Sequence, residues 1–513
     1  MITYRSGFPV SGLLVSGLFG LLGTTASAAS ENDWFVPLGP PPKAAPRHIS
    51  GGESFPPLPL PATPLRRSER KKDPAPPKLV GKVVWGETAS FSYDDGSASE
   101  VSDWNLCPAD LQSLLHLSGQ GLAVRYGSQT VAMATFEPDP STMPMLYISG
   151  TRSLRMDSAQ LAKLRQHVQR GGMVVFDSVA GSPFFTDSVR QILKELFPNE
   201  PLRHIPADHP FLHAAVDVDK AGFGRNPPGS TPEFEGIYVG CRIGVLLSPY
   251  GMGCGWDGRP VPLLKQAVFY DVETAGKLGM NLVAYALGYA DAGLEEAKPE
   301  LFGTADAAAP SDELVFTQLV HEGHWDVHPG AAAALLRKSA GVLAARVSLR
   351  RQAVDPDREP LTGRHFAYLT GLDDFHFSER ALINLRHFLD AGGTLVVDNG
   401  LGLKTFDVAA RRELARLLPG AVLKPVAANH PLLAAGPFPL AEAHFTPAAH
   451  AAEPKLVGPA LDGIEIGGDL RVIYSRLDLE AGWAGCEHPQ MKGYESDTAS
   501  ALGLDILMYA ATH

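Results

Sequence analysis

The densest set of side chains able to do chemistry is His321-Glu322-Gly323-His324-Trp325-Asp326-Val327-His328, with Cys486-Glu487-His488 far downstream. Imidazoles and a thiolate are zinc ligands, so His321, His324, His328, Cys486 and His488 form the candidate metal set. The spacing is not HExxH, and a solvated polar loop accounts for the same residues. No other cofactor is expected. Two further pairs could act as acid and base: Asp177 with His209, and Asp398 with His430. Each aspartate ends an apolar run, and each histidine precedes a proline. Such aspartates also cap helices or close turns, and such histidines bond to backbone. Ser178 could attack as a nucleophile, but Gly-x-Ser-x-Gly is not matched and the corresponding residue in the second half is Asn399. Trp104, Trp256, Trp325 and Trp483 read as packing residues, with a stacking platform for a sugar ring as the sharper alternative.

The elements that would hold these residues occur twice. Leu146-Tyr147-Ile148-Ser149-Gly150 leads through an amphipathic stretch to Gly171-Gly172-Met173-Val174-Val175-Phe176-Asp177. Tyr368-Leu369-Thr370-Gly371 leads likewise to Gly392-Gly393-Thr394-Leu395-Val396-Val397-Asp398. Each is a strand, a helix stopped by glycine and a second strand ending in aspartate. From Trp104 and Trp325 (325 − 104 = 221) to His209 and His430 (430 − 209 = 221) the offset is constant. It becomes 227 at Trp256 and Trp483, then 224 at Gly279 and Gly503, so small loop changes come late. In the first copy the pattern predicts strands over 79–85, 145–149, 173–177, 202–205 and 242–247. Helices are predicted over 108–117, from the Asp157/Gln160 cap to Gly171, and over 184–197 and 273–289. Strands alternating with helices give an α/β fold, two tandem doubly wound, mostly parallel sheets with helices on both faces. Ligands would bind outside the carboxyl ends of the strands, where both aspartates and the histidine-rich stretch fall.

With 513 residues, 45% hydrophobic and 19% charged, the chain has the composition of a multidomain globular protein. A net charge of -12 argues against nucleic acid or an anionic membrane as partner. Four cysteines without a CxxC pair leave room for one or two disulfides and indicate no zinc ribbon. Residues 1–29, with Arg5, the apolar stretch from Phe8 to Gly23 and Ala26-Ser27-Ala28, read as an export signal; no later run is long and apolar enough to span a bilayer. Residues 30–78, rich in proline and carrying Arg66-Arg67-Ser68-Glu69-Arg70-Lys71-Lys72, read as an extended disordered linker. The domains are then 79–295 and 313–513, with 296–312 between them.

The ordered set Trp325-Asp326, Tyr368 to Gly371, Gly392 to Asp398, Asn429-His430-Pro431-Leu432, Gly482-Trp483 and Ala501 to Ile506 resembles an uncharacterised bacterial family, domain of unknown function 4159. The first copy resembles it through Trp104-Asn105, Ile148-Ser149-Gly150, Gly171-Gly172, Asp208 to Phe211, Gly255-Trp256 and Gly279 to Leu282. The resemblance implies a flavodoxin-like sheet of the class I glutamine amidotransferase-like type and no assigned activity. An amidotransferase of that type needs a cysteine on a tight strand-to-helix elbow, and neither copy has one. The expectation is therefore an exported protein, periplasmic or extracellular, acting as a non-catalytic binding or assembly module of the cell envelope, with an envelope protein or ligand as partner. The alternative is a hydrolase or ligand-processing enzyme using Asp177/His209 or Asp398/His430, metal-assisted in the second copy.

Overall fold

The computed structural model describes residues 30–39, 76–258, 260–262, 264–297, 313–340, 346–436, 440, 442–486 and 490–513. The expected export signal, the proline and basic runs of 40–75, most of the inter-domain linker and His488 lie outside them.

The first copy contributes β1 (Lys78–Val84), β2 (Gly127–Ala132), β3 (Met145–Gly150), β4 (Met173–Ser178), β5 (Arg203–His204), β6 (Glu235–Val239) and β7 (Arg242–Ser248). The second contributes β8 (Glu313–Leu319), β9 (Arg346–Val354), β10 (Phe366–Gly371), β11 (Thr394–Asn399), β12 (Lys424–Pro425), β13 (Leu461–Ile466) and β14 (Asp469–Ser475). The sheets run β2-β1-β3-β4-β7-β6-β5 and β9-β8-β10-β11-β14-β13-β12, the same order. Five strands of each are mutually parallel, and the last two at one edge are added by antiparallel pairing, so that β6 and β13 alone run against the rest. Strands β3, β4, β10 and β11 are buried along their whole length, the pattern of a sheet covered on both faces.

Five helices of each copy correspond pair by pair. In the first copy they are α1 (Asp110–Gly121), α2 (Ser158–Gln169), α3 (Pro183–Leu196), α4 (Gly253–Asp257) and α5 (Val272–Gly288). Their counterparts are α6 (Ala331–Ala340), α7 (Glu379–Asp390), α8 (Lys404–Leu417), α9 (Glu480–Ala484) and α10 (Ser496–Thr512). On one face Tyr147 and Val175 pack with Leu114 of α1, Trp256 of α4 and Leu278 of α5. On the other, Ile148 and Phe176 pack with Leu164 and Val168 of α2 and Val189 of α3. Successive residues of a strand thus feed opposite cores, as the pleat requires. Helix α2 opens on the expected capping box: Gln160 N–H donates to Asp157 Oδ1 at 2.8 Å, and Asp157 N–H returns to the Gln160 side chain at 3.0 Å.

One difference between the copies lies ahead of the constant-offset span. Lys82 pairs with Tyr147 and Gln318 with Tyr368. The first-strand offset is therefore 236 (318 − 82), whereas the next strand keeps 221 (368 − 147). The first copy carries fifteen additional residues here (236 − 221), and the hairpin Thr88–Ser92 with Ala98–Ser102 fills that length.

The hairpin has a companion. Glu31–Trp34, inside the stretch expected as an extended linker, forms a short 3-10 helix, and Trp34, Phe35 and Leu38 are buried with Phe91 and Val101 of the hairpin. The same cluster holds Val179 and Ala180 at the end of β4 and Cys107 and Cys254, whose thiols lie 3.8 Å apart. No disulfide joins any of the four cysteines.

The copies touch. Asp208 of the first copy caps α8 of the second, its carboxylate accepting from Thr405 N–H at 3.0 Å and Thr405 Oγ1 at 2.7 Å. Arg203 lies 3.6 Å from Asp373, Gln490 donates to the Ala214 carbonyl at 3.2 Å, and Val327, Leu372, Leu401, Leu403 and Met491 join the apolar cluster of the first copy. No helix among the described residues is long and apolar enough to cross a membrane.

Candidate functional site

Strand β4 ends at Ser178 and enters α3 through a turn in which Ala180 has φ 58° and Gly181 φ 73°. In the second copy Leu401 and Gly402 take the same place with φ 55° and φ 64°. A left-handed non-glycine residue on a strand-to-helix turn is the strained elbow on which hydrolytic nucleophiles are presented. Here the strained positions hold a methyl group and an isobutyl group, both fully buried. Ser178 is two residues earlier, at the end of the strand, and its hydroxyl donates to the Ser182 carbonyl at 2.8 Å.

Asp177 is fully buried and accepts from Tyr147 Oη at 2.7 Å and from the Met252 and Gly253 amides at 2.8 Å each. It caps α4, some seventy-five residues on, rather than the helix that follows it in sequence. Burial pushes its carboxyl up to about 6 against those three donors. Asp398 repeats the arrangement, accepting from Tyr368 Oη at 2.6 Å and from the Leu479 and Glu480 amides at 3.1 and 3.2 Å at the head of α9.

His209 Nδ1 accepts from Phe211 N–H and His430 Nδ1 from Leu432 N–H, each at 3.1 Å. Each opens a short 3-10 helix. His209 is buried against Tyr238 and Tyr285, and desolvation lowers it to about 3, so the ring is neutral. Neither aspartate hydrogen-bonds to the histidine of its own copy. Asp177 with His209, and Asp398 with His430, are structural caps in separate places.

The histidine-rich stretch also disperses. His321 Nε2 lies 2.7 Å from the Thr370 carbonyl while its Nδ1 accepts from Gly323 N–H. His324, at φ 59°, reaches across to the Gly240 carbonyl of the first copy at 2.6 Å. His328 turns inward to Asp478, 3.5 Å away. Desolvation lowers His321 and His324 to about 4. No group of three or more His, Cys, Asp or Glu side chains that could hold a metal ion occurs among the described residues, Cys486 included. Among the described residues the three imidazoles point to separate partners: His321 to backbone, His324 to a carbonyl of the first copy and His328 to the Asp478 side chain.

Sequence reading missed a buried set beside the second elbow. Asp478 accepts from Leu401 N–H at 2.7 Å and from Ala481 N–H at 2.9 Å. Burial opposes its ionisation, yet His328 and those amides outweigh it and hold it below the usual carboxylate range. Asp398 and Glu480 are both held well above that range, first by burial and then by their acidic neighbours. Their counterparts in the first copy are Gly251 for Asp478 and Gly253 for Glu480 (478 − 251 = 480 − 253 = 227), so the repeat itself gives no signal for them.

Of the tryptophans, Trp256 and Trp483 donate into α5 and α10, to the Ala275 and Ala499 carbonyls at 2.6 and 2.7 Å, and are packing residues. Trp325 lines a cavity of about 690 Å³ between the copies, with Arg203, Tyr238, Glu322 and Asp326. Trp104 lines another of about 510 Å³, over the buried Lys82–Asp110 pair at 2.8 Å.

A family model described as Domain of unknown function (DUF4159) matches residues 91–287 and again 315–511. The chain belongs to this family. The first DUF4159 match begins inside the hairpin strand Thr88–Ser92 and leaves β1 outside, whereas the second begins within β8. The fifteen-residue addition accounts for that shift. Among solved structures, the exo-beta-1,4-mannosidase Op5Man5 from Opitutaceae bacterium strain TAV5 is similar at 13% identity over 72% of this chain. The chain spans 61% of that structure, and a TM-score of 0.19 carries no argument about fold or activity. No curated protein matches.

Proposed function

We propose that this DUF4159 protein is an exported, non-catalytic binding or assembly module of the cell envelope, built from two degenerate domains of the class I glutamine amidotransferase-like, flavodoxin-like type. The observation that carries the reading is at the two elbows. Ala180 and Leu401 keep the strained backbone of a nucleophile position while offering only carbon. Three buried carboxylates beside them are consumed as caps: Asp177 by α4, Asp398 by α9, and Asp478 by the Leu401 amide itself. Strain that persists without a reactive atom is consistent with a retained scaffold put to another use.

The rival is a hydrolase, and it draws on Asp398 and Glu480, whose raised carboxyls are the kind of perturbation active sites build. Against it, both side chains are at most 1% exposed and the first copy packs over Leu401. The test is the purified full chain on glutamine, ester and glycoside substrates, beside a capture of envelope proteins on the immobilised chain. The binding reading expects a saturable partner and no turnover. Turnover abolished by Asp398→Asn would replace it with the hydrolase.

A further inference from the structure

The crevice of the first copy is occupied by the chain's own N-terminal stretch. In the order β2-β1-β3-β4 the direction of winding changes between β1 and β3, and a ligand of such a sheet sits outside the carboxyl ends of those strands. The residues leaving β3 are Thr151, Arg152 and Ser153, and all three hold the segment. Thr151 Oγ1 donates to the Trp34 carbonyl at 3.0 Å, Ser153 Oγ donates to the Glu31 carboxylate at 3.0 Å, and the Arg152 guanidinium stacks 3.8 Å above the Phe35 ring. Phe91 meets Phe35 edge-on, and Tyr93 Oη donates to the Gly39 carbonyl at 3.4 Å. Trp34, Phe35 and Leu38 share one cluster with the elbow residues Val179 and Ala180.

Four features set the segment apart from the sheet it covers. The segment adds no strand to either sheet, so side chains and two carbonyls supply the attachment. Thirty-six residues (40–75) lie along the chain between it and the first described residue before β1. Phe91 and Tyr93 belong to the hairpin region that the first copy has and the second lacks, so the addition and the segment occur together. The fit is also incomplete: Trp34 Nε1 is buried with no hydrogen-bond partner, which lowers the cost of releasing the segment.

We propose that the crevice of the first copy is a binding site for a short peptide of the pattern acid-x-x-Trp-Phe-x-Pro-Leu, and that residues 31–38 are its resident ligand, occupying the site in cis until it is released. The proposal rests on the binding-module reading and names the ligand class of that module. Recognition is by an aromatic pair between the hairpin and the elbow, an arginine over the second ring, and hydroxyl and cationic groups around the leading acid, where Arg155 also approaches Glu31 at 3.5 Å.

The test uses the full chain and a fluorescent synthetic peptide of residues 30–39. Trp34→Ala with Phe35→Ala disables the tethered copy, and melting and far-UV circular dichroism establish that this variant is folded. The labelled peptide is expected to bind the double variant saturably and the unaltered chain at least about tenfold more weakly, because the tethered segment competes at high effective concentration. Adding Phe91→Ala and Arg152→Ala to the double variant is expected to abolish binding. Absence of saturable binding to the folded double variant overturns the proposal, and so does equal affinity for both chains or indifference to Phe91→Ala and Arg152→Ala. Should peptide binding fail while the immobilised chain still captures an envelope partner, this inference falls and the module reading stands.

Discussion

Asp177 shows how a residue chosen for its chemistry turns out to hold the architecture. Its two oxygens satisfy Tyr147 Oη and the first amides of α4 in a site closed to water. Asp177→Ala should leave three buried donors unpaired and cost on the order of 3 kcal/mol in urea unfolding, with Asp177→Asn milder. The pH dependence has a defined sign. The folded value, about 6, lies above the ordinary 3.8, so the native state binds the proton between those limits. The contribution of Asp177 is complete below pH 4 and is lost as pH rises through 6. Asp177→Asn should therefore gain on the unaltered chain as pH rises from about 4 to 6. His209 acts oppositely: its value falls to about 3, so its contribution is present above pH 6.5 and is lost as pH falls. His209→Asn, which keeps an acceptor for the Phe211 amide, should flatten the fall in melting temperature between pH 6.5 and 4. Thiol titration probes the same burial, since Cys107, Cys241 and Cys254 are buried and Cys486 is half-buried. Reduced native protein should show one fast thiol, and four in denaturant.

The elements of the two copies match closely enough to serve as controls for one another. Gly171 and Gly392 both end their helices at left-handed φ, +99° and +91°. A β-carbon on Gly171 would lie 2.4 Å from the Gly293 carbonyl oxygen, whereas on Gly392 the nearest atom is 3.8 Å away on Arg471. Gly392→Ala should cost only the left-handed penalty, about 1 kcal/mol, and Gly171→Ala distinctly more. Urea midpoints of the two variants provide the comparison. Across the copies, Asp208→Ala removes a cap supplied by one domain to a helix of the other and should cost about 1 kcal/mol. Faster hydrogen exchange at the Thr405 amide would report it.

At the scale of the whole molecule, each crevice is covered by what precedes it in the chain. The N-terminal segment lies over Ala180, and the first copy lies over Leu401. The second arrangement joins the cores, because Leu401, Leu403 and Met491 pack with the residues around Phe211 and Leu212. Unfolding followed by tryptophan fluorescence and by circular dichroism should therefore coincide in a single transition. Leu401→Asp, placing a charge in that shared cluster, should separate it into two.

The amino-acid sequence by itself determined the duplication, the run of strands and helices and the glycine stops, because these follow from short-range periodicity and from backbone angles that only certain residues tolerate. It also located Asp177, Asp398, His209 and His430 as points of consequence. It left their roles open, since a cap and a general base are the same atoms with different partners, and the α4 amides that Asp177 accepts from stand some seventy-five residues away. Asp478 and Glu480 could not be found from the repeat, whose other half has glycine at both places. Composition alone assigned the stretch after residue 30 to a linker; only tertiary structure brought Trp34 and Phe35 onto the rim. Burial is decided by what comes from elsewhere in the chain to cover a side chain, and local pattern holds no record of that.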